Sequence, residues 1–375
     1  MAPFEESGRD VDGGGENPAR RLTVVDLFCG AGGFSEGFRQ QGFDIIYAAD
    51  NWGPAIRTFR ANHPNARMVK ANLMNLSADK LPKADVLIGG PPCTEFSGSN
   101  SGRNRDIESG MALVVRFLYF VHSLRPRWWV MENVPRLLDI LPRRVPYKNL
   151  GIDQSGSFEI PRMHVFNAAD FGAPQRRLRL FSGLYPDPVQ THAETPTSSL
   201  EGRIYKQWIP MGQVVEALPN PLGTPNAENL VVDPFYETSL PENELQDHFG
   251  RSCLLTREEA EGNRRQKVEH PYYGRMGFPD DLRKPARTVM ATQIKSSREE
   301  IVIAARHNGE NIHRRLTVRE CASLQCYPIN YRLYGNSLVT RYKLVGNSVP
   351  VRLSGAIAKS ILDQDVGLTA ETTSS

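Results

Sequence analysis

The sequence predicts an α/β fold: a doubly wound, mostly parallel sheet carrying a second, smaller and irregular domain. Three observations carry that expectation. Short apolar runs alternate with helical stretches through the first half of the chain, as expected for strands buried between helices. Several runs end in glycine, proline or an acid, the punctuation of a turn at a strand's carboxyl end. After Tyr185 the pattern loosens, and 186–290 is rich in Pro, Gly, Asn and acids.

Leu22 to Phe28 (LTVVDLF) reads as a buried strand closed by a glycine-rich turn. Ser35 to Gln41 reads as a helix, Asp44 to Ala49 as a second strand, and a helix follows through Ala61. Ala84 to Ile88 is a strand ending in Gly89-Gly90-Pro91-Pro92. Gly110 to Leu124 is helical by its apolar spacing, and Trp128 to Met131 is a strand ending at Glu132-Asn133. The pattern tightens again after Ile301. Thr317 to Gln325 reads as a helix with Thr317 and Glu320 spaced as a capping box. Val351 to Leu362 reads as the last helix. The expected organisation is one domain from 20–185 and 301–362, a second from 186–300, and disordered acidic tails at 1–19 and 363–375.

The chain has 375 residues, 40% hydrophobic and 23% charged, which excludes a wholly disordered or collagen-like protein. The run from Met111 to Val121 is interrupted by Arg116, and no segment reaches the roughly 20 apolar residues of a membrane span. The N-terminus lacks the pattern of a secretory signal, so a cytoplasmic location is expected. Cys29, Cys93, Cys253, Cys321 and Cys326 are odd in number with no C-x-x-C pair, which argues against a disulfide framework or a zinc site. Charge is segregated. Residues 20–187 and 301–360 each carry +7, whereas 188–300 carries −4. Two basic blocks meeting in space would suit phosphate; solvated surface charge is the plain alternative.

Five stretches can carry chemistry. Asp26-Leu-Phe28-Cys-Gly30-Ala-Gly32-Gly33-Phe34 sits at a strand-to-helix turn, where glycines let a ligand approach the backbone. Asp50, 24 residues after Asp26 at the next strand's end, stands where a ribose hydroxyl would bind. G-x-G-G in place of G-x-G-x-x-G argues against a nicotinamide cofactor. Gly89-Gly-Pro-Pro92-Cys93-Thr-Glu-Phe-Ser97 is a stiff loop after a strand, presenting a possible nucleophile at the same sheet edge. Glu132 ends another strand there. Alternation puts Gln175, Arg177 and Arg179 on one face of a strand. Gly346-Asn347-Ser348-Val349-Pro350 leads into the last helix.

Taken in order, these stretches resemble the motifs of the C5-cytosine DNA methyltransferase family over roughly 21–185 and 312–362. Asp26 to Phe34 resembles the cofactor motif, Pro92-Cys93-Thr-Glu-Phe-Ser97 the nucleophile motif, and Glu132-Asn-Val134 the acid motif. Gln175-x-Arg177-x-Arg179 resembles the arginine motif, Arg315-Leu-Thr-x-Arg-Glu-Cys321-x-x-Leu-Gln325 the ninth, and Gly346 to Pro350 the last.

The resemblance implies a Rossmann-like domain that binds S-adenosylmethionine and methylates C5 of a cytosine flipped out of duplex DNA. It implies Cys93 as nucleophile, Glu132 as acid, and Arg177 and Arg179 steadying the base, its phosphate or Cys93. Asp26, Phe28, Gly30, Gly32, Gly33, Asp50, Asn72, Pro92, Asn347, Ser348 and Val349 would surround the cofactor. Ser97, Gln175 and Arg275 would contact DNA, and no metal is implied. Residues 186–300 stand where the family places its target-recognition domain; 251–287 holds nine Lys and Arg, with Arg275 a candidate reader of guanine. Thr94 stands where Gln is common, Asn72 where Asp is usual, and Asn51 where a residue often stacks on adenine, with Trp52 a substitute. The compact length resembles a prokaryotic, nucleoid-associated modification enzyme, monomeric, partnered by a restriction endonuclease that acts separately. A tRNA cytosine methyltransferase and a silent DNA-binding regulator are the rival readings.

Overall fold

The computed structural model describes residues 20–92, 107–198, 202–270, 275–292 and 297–373. Cys93, Thr94, Ser97 and the acidic segment 1–19 lie outside the described residues.

The first half alternates as the apolar runs require: β1 (Thr23–Leu27), α1 (Gly33–Gln40), β2 (Asp44–Asp50), α2 (Gly53–Asn62), β3 (Arg67–Lys70), β4 (Val86–Gly89), α3 (Ile107–Leu124) and β5 (Trp128–Asn133). The small hairpin β6 (Arg144–Pro146) and β7 (Ser157–Glu159) precedes β8 (Arg162–Asn167) and β9 (Leu178–Leu184). The main sheet has the order β3-β2-β1-β4-β5-β9-β8. Its first five strands are parallel, while β9 runs antiparallel to both β5 and β8.

Strand alternation splits the apolar side chains between two faces. Val24, Ile88 and Val130 join one cluster, with Phe34 and Phe38 of α1. Val25, Leu87, Trp129 and Met131 join the other, with Val114, Phe117, Leu118 and Val121 of α3. That α3 spacing is the i, i+3, i+4, i+7 stripe of a core-facing helix. Because β2 and β4 flank β1, the chain leaves β1 in opposite directions, and a crevice opens at the strands' carboxyl ends.

The middle of the chain contributes a small three-stranded sheet from β10 (His192–Ala193), β11 (Thr197–Ser198) and β12 (Ile204–Gln207). Then come α4 (Gly212–Ala217), the hairpin β13 (Leu230–Val232) and β14 (Ser239–Pro241), and α5 (Arg257–Val268). Apolar packing continues across 186, where a second, smaller domain was expected to begin. Met211, Val214, Leu218, Val231, Leu240 and Leu245 lie in the same apolar cluster as Phe34 and Phe38. Asp233 fastens this stretch further, accepting Ile329 N at 2.7 Å.

The last part holds the hairpin β15 (Val302–His307) and β16 (Glu310–Arg315), then α6 (Val318–Leu324), α7 (Leu338–Gly346) and α8 (Val351–Thr373). The capping box at Thr317 and Glu320 is formed. Helix α8 lies against α1, where Ser354 Oγ donates to Phe34 O at 2.6 Å. It runs past Leu362, where a disordered tail was expected, because Asp365 is tied down by Arg127 at 2.6 Å and Trp128 Nε1 at 3.4 Å. Among the described residues, no helix is long and apolar enough to cross a membrane.

Candidate active site

The carboxyl ends of β1, β2, β4 and β5 and the α7–α8 link enclose a cavity of about 510 Å³. Most of the sequence-identified residues that the structure describes line it: Asp26, Phe28, Gly30, Gly33, Asp50, Pro92, Glu132, Arg177, Arg179, Asn347, Ser348 and Val349. They come from stretches as far apart as residues 26 and 349.

Each wall has a local cause. Asp26 is fully buried at the last-but-one position of β1. Its Oδ2 accepts Ser35 Oγ at 2.6 Å, and its Oδ1 is buried with no hydrogen-bond partner. Burial pushes the carboxyl up to about 8, against the pull of the Ser35 bond. Phe28 sits at φ 59°, a left-handed conformation rare for a side chain of this size, at a cost of order ~1–3 kcal/mol. Gly32 has φ 89°, and a Cβ there would lie 2.6 Å from the Tyr331 hydroxyl. It shapes the turn from behind and does not line the cavity.

Asp50 fastens two loops. Its Oδ2 accepts Gly30 N at 2.9 Å and its Oδ1 accepts Trp52 N at 2.8 Å. Burial raises this carboxyl above the usual range, and those amides oppose the rise. On the opposite wall Glu132 is the last residue but one of β5, with Arg179 Nε 3.0 Å from its Oε1. Burial again raises the carboxyl, while the Arg179 and Arg177 charges hold it down. Asn133 Nδ2 donates to Pro91 O at 3.2 Å, anchoring the Gly90-Pro91-Pro92 wall beside Glu132. Cys93 is the next residue in the chain.

Three residues differ from expectation. Gln175 and Arg177 precede β9 and are not part of it; the backbone there pairs with Ala286 through Arg176 N at 2.8 Å. Gln175, expected at the DNA, is 0% exposed, and its Nε2 donates to Leu324 O and Gln325 Oε1 inside the fold. Arg177 lines the cavity, but its guanidinium donates to the carbonyls of Val289, Gly346 and Ser348. Asn72 is exposed and absent from the cavity wall, with its Oδ1 accepting its own Met74 N at 3.1 Å, an Asx turn.

Arg275 is exposed beside the end of α5, where Met276 N bonds Lys267 O, and is not part of the cavity. Sequence reasoning missed Lys343, which lines the cavity and holds its Nζ 5.4 Å from the Trp52 ring centroid. The available signal was its place four residues before Asn347, one helical turn away.

The sequence model of C-5 cytosine-specific DNA methylases matches residues 22–363. Type II methyltransferase M.FnuDI of Fusobacterium nucleatum is 29% identical over 346 residues, covering 91% of this chain and 94% of that protein. Type II methyltransferase M.MthTI of Methanothermobacter thermautotrophicus is 27% identical over 347 residues, covering 91% and 97%. Among solved structures, Spodoptera frugiperda DNMT2 superposes with TM-score 0.55 at 17% identity, covering 91% of this chain and 99% of that one. Entamoeba histolytica methyltransferase EhMeth gives 0.55 at 16%, covering 92% and 99%. At these identities the structural likeness speaks for the fold.

Proposed function

Because the chain belongs to the C-5 cytosine-specific DNA methylase family, and is a DNA (cytosine-5-)-methyltransferase using S-adenosylmethionine, we propose that it acts through a covalent Cys93 adduct as the modification half of a restriction–modification system. One observation carries the mechanism. The Glu132–Arg179 pair faces the same cavity as Asp26 and Asp50, which Gly90, Pro91 and Pro92 also line, and Cys93 is the next residue in the chain.

The residues fit the cofactor. S-adenosylmethionine carries an ammonium and a sulfonium, and the unpartnered Asp26 Oδ1 offers a buried acceptor for positive charge. The two Asp50 oxygens keep acceptor capacity for ribose hydroxyls beyond the amides they already hold. Phe28 and Trp52 supply apolar walls, and Ser348 is held in place by the Tyr327 hydroxyl. Asn347, Ser348 and Val349 close the far side.

When bound, S-adenosylmethionine supplies an electrophilic methyl for C5 and leaves as an uncharged thioether. The protein's part is to make C5 nucleophilic. The Cys93 thiolate adds to C6 of the flipped cytosine, and Glu132 carries the proton that neutralises N3. The raised Glu132 pKa favours that protonated form, and Arg179 fixes the carboxyl's direction. After C5 is methylated, a base takes the C5 proton and the Cys93–C6 bond breaks, restoring the aromatic ring and the thiolate. Flipping costs a few kcal/mol, offset by DNA contacts from Ser97 and the recognition segment within 186–300. Arg275 is our candidate for guanine readout, exposed and without an ion pair among the described residues. The relatives named Type II methyltransferases support the restriction–modification setting. A monomer acting separately from its endonuclease is our reading of the assembly.

Bisulfite sequencing of plasmid DNA from a methylation-free host expressing this chain tests the reading. Protected cytosines in one short motif, absent with Cys93→Ala, are expected. Protection that survives Cys93→Ala would remove the covalent mechanism.

A further inference from the structure

We propose that Arg177 is a positioning residue that locks the floor of the cofactor cavity to the segment returning from the recognition region, so that filling the cavity is felt at 286–292. The inference rests on reading the cavity as the cofactor site, and involves neither Cys93 nor DNA.

Arg177 is 1% exposed. Its Nη1 donates to Val289 O at 2.9 Å, and its Nη2 donates to Gly346 O at 2.8 Å and Ser348 O at 2.9 Å. One planar group therefore holds carbonyls from two separate stretches of chain. The guanidinium fork fixes the directions of its N–H bonds, so the three carbonyls keep one mutual arrangement or lose bonds. Burial keeps water from replacing a lost bond.

Independent contacts press the same two stretches together. A Cβ on Gly346 would lie 2.3 Å from both Met290 C and Ala291 N, so the two backbones meet with no side chain between them. The returning stretch is also registered on the β9 approach. Ala286 N donates to Pro174 O at 2.9 Å, Val289 N to Gln175 Oε1 at 3.2 Å, and Thr288 Oγ1 to Arg176 O at 3.0 Å. Gln325 completes the junction, receiving Gln175 Nε2 at 2.7 Å and donating to Val345 O at 2.9 Å. On one side of this junction, Gly346, Asn347 and Ser348 line the cavity. On the other, Ala291 and Thr292 lead into 293–296, which lie outside the described residues. A shift at 346–348 on ligand binding has a direct mechanical route to the recognition segment.

The test is amide hydrogen exchange on the full chain, with and without saturating S-adenosylhomocysteine. In the native protein, ligand is expected to slow exchange at 346–349 and, by about fivefold or more, at 286–291. Arg177→Lys replaces the fork with a point charge. It should keep protection at 346–349 and lose it at 286–291. Gly346→Ala serves as the second variant, forcing the backbones apart with the guanidinium retained, and should also weaken the signal at 286–291. Native protein protected at 346–349 but unchanged at 286–291 would overturn the proposal. So would either folded variant passing protection across at the native level. No protection at 346–349 in the native protein would instead sink the cavity assignment on which the proposal stands.

Discussion

Around the cavity, polar side chains reach across long stretches of chain, whereas in 251–300 charges are mostly settled close by. Arg177 bonds carbonyls 112 to 171 residues away, and Tyr331 Oη reaches Ala31 O across 300 residues. In the second region Arg264 pairs with Glu261 and Glu269, Arg265 with Glu261, and Arg283 with Asp281. Lys267 and Arg287 converge on Asp280. Buried long-range bonds define one geometry, while exposed local pairs add little stability and mainly cancel charge. The nine basic residues counted in 251–287 are therefore not nine phosphate ligands. After pairing, Arg251, Arg257, Arg275 and Lys284 are left exposed with no ion pair among the described residues.

The largest test of this contrast is Glu132→Gln. The amide keeps the volume and can still accept from Arg179, but cannot deliver a proton to N3. A loss of kcat of about 10²–10⁴-fold is expected, with S-adenosylhomocysteine affinity by calorimetry unchanged. Equal losses in kcat and cofactor affinity would show the residue to be structural.

Arg275→Ala probes the other region. Discrimination between the cognate site and single-base variants should fall about ten- to a hundredfold, with the melting temperature unchanged. Methylation kinetics on matched duplexes read this. Unaltered discrimination would move base readout elsewhere.

A smaller, pH-dependent effect comes from Asp26. Its folded pKa of about 8 lies above the ordinary aspartate value of 3.8, so the fold prefers the protonated form. That contribution is full below about pH 4 and is lost as pH rises through about 8. The ligand-free native protein should thus lose melting temperature relative to Asp26→Asn between about pH 5 and 8. S-adenosylmethionine should flatten the dependence by favouring the carboxylate. A constant gap between the two melting curves would contradict this. The smallest effect is expected from Arg283→Ala. Arg283 is 90% exposed and paired locally with Asp281, so DNA affinity and its salt dependence should hardly change.

Much of this molecule was legible along the chain. The strands Thr23–Leu27, Val86–Gly89 and Trp128–Asn133 follow from short apolar runs, because a strand covered on both faces has little room for polar residues. Asp26, Asp50 and Glu132 could be placed at one edge from their positions at strand ends. The Thr317–Glu320 box could be read because a cap is a bond between neighbours. Other features depended on packing. The antiparallel entry of β9, the burial of Gln175, the Asx turn that occupies Asn72, and the shared core under 211–245 are of this kind. So is Lys343 over Trp52. Residue type and local spacing determined which groups were available for chemistry. Only the tertiary structure decided which of them are already bonded, because a buried donor must find its acceptor wherever the fold brings one within reach.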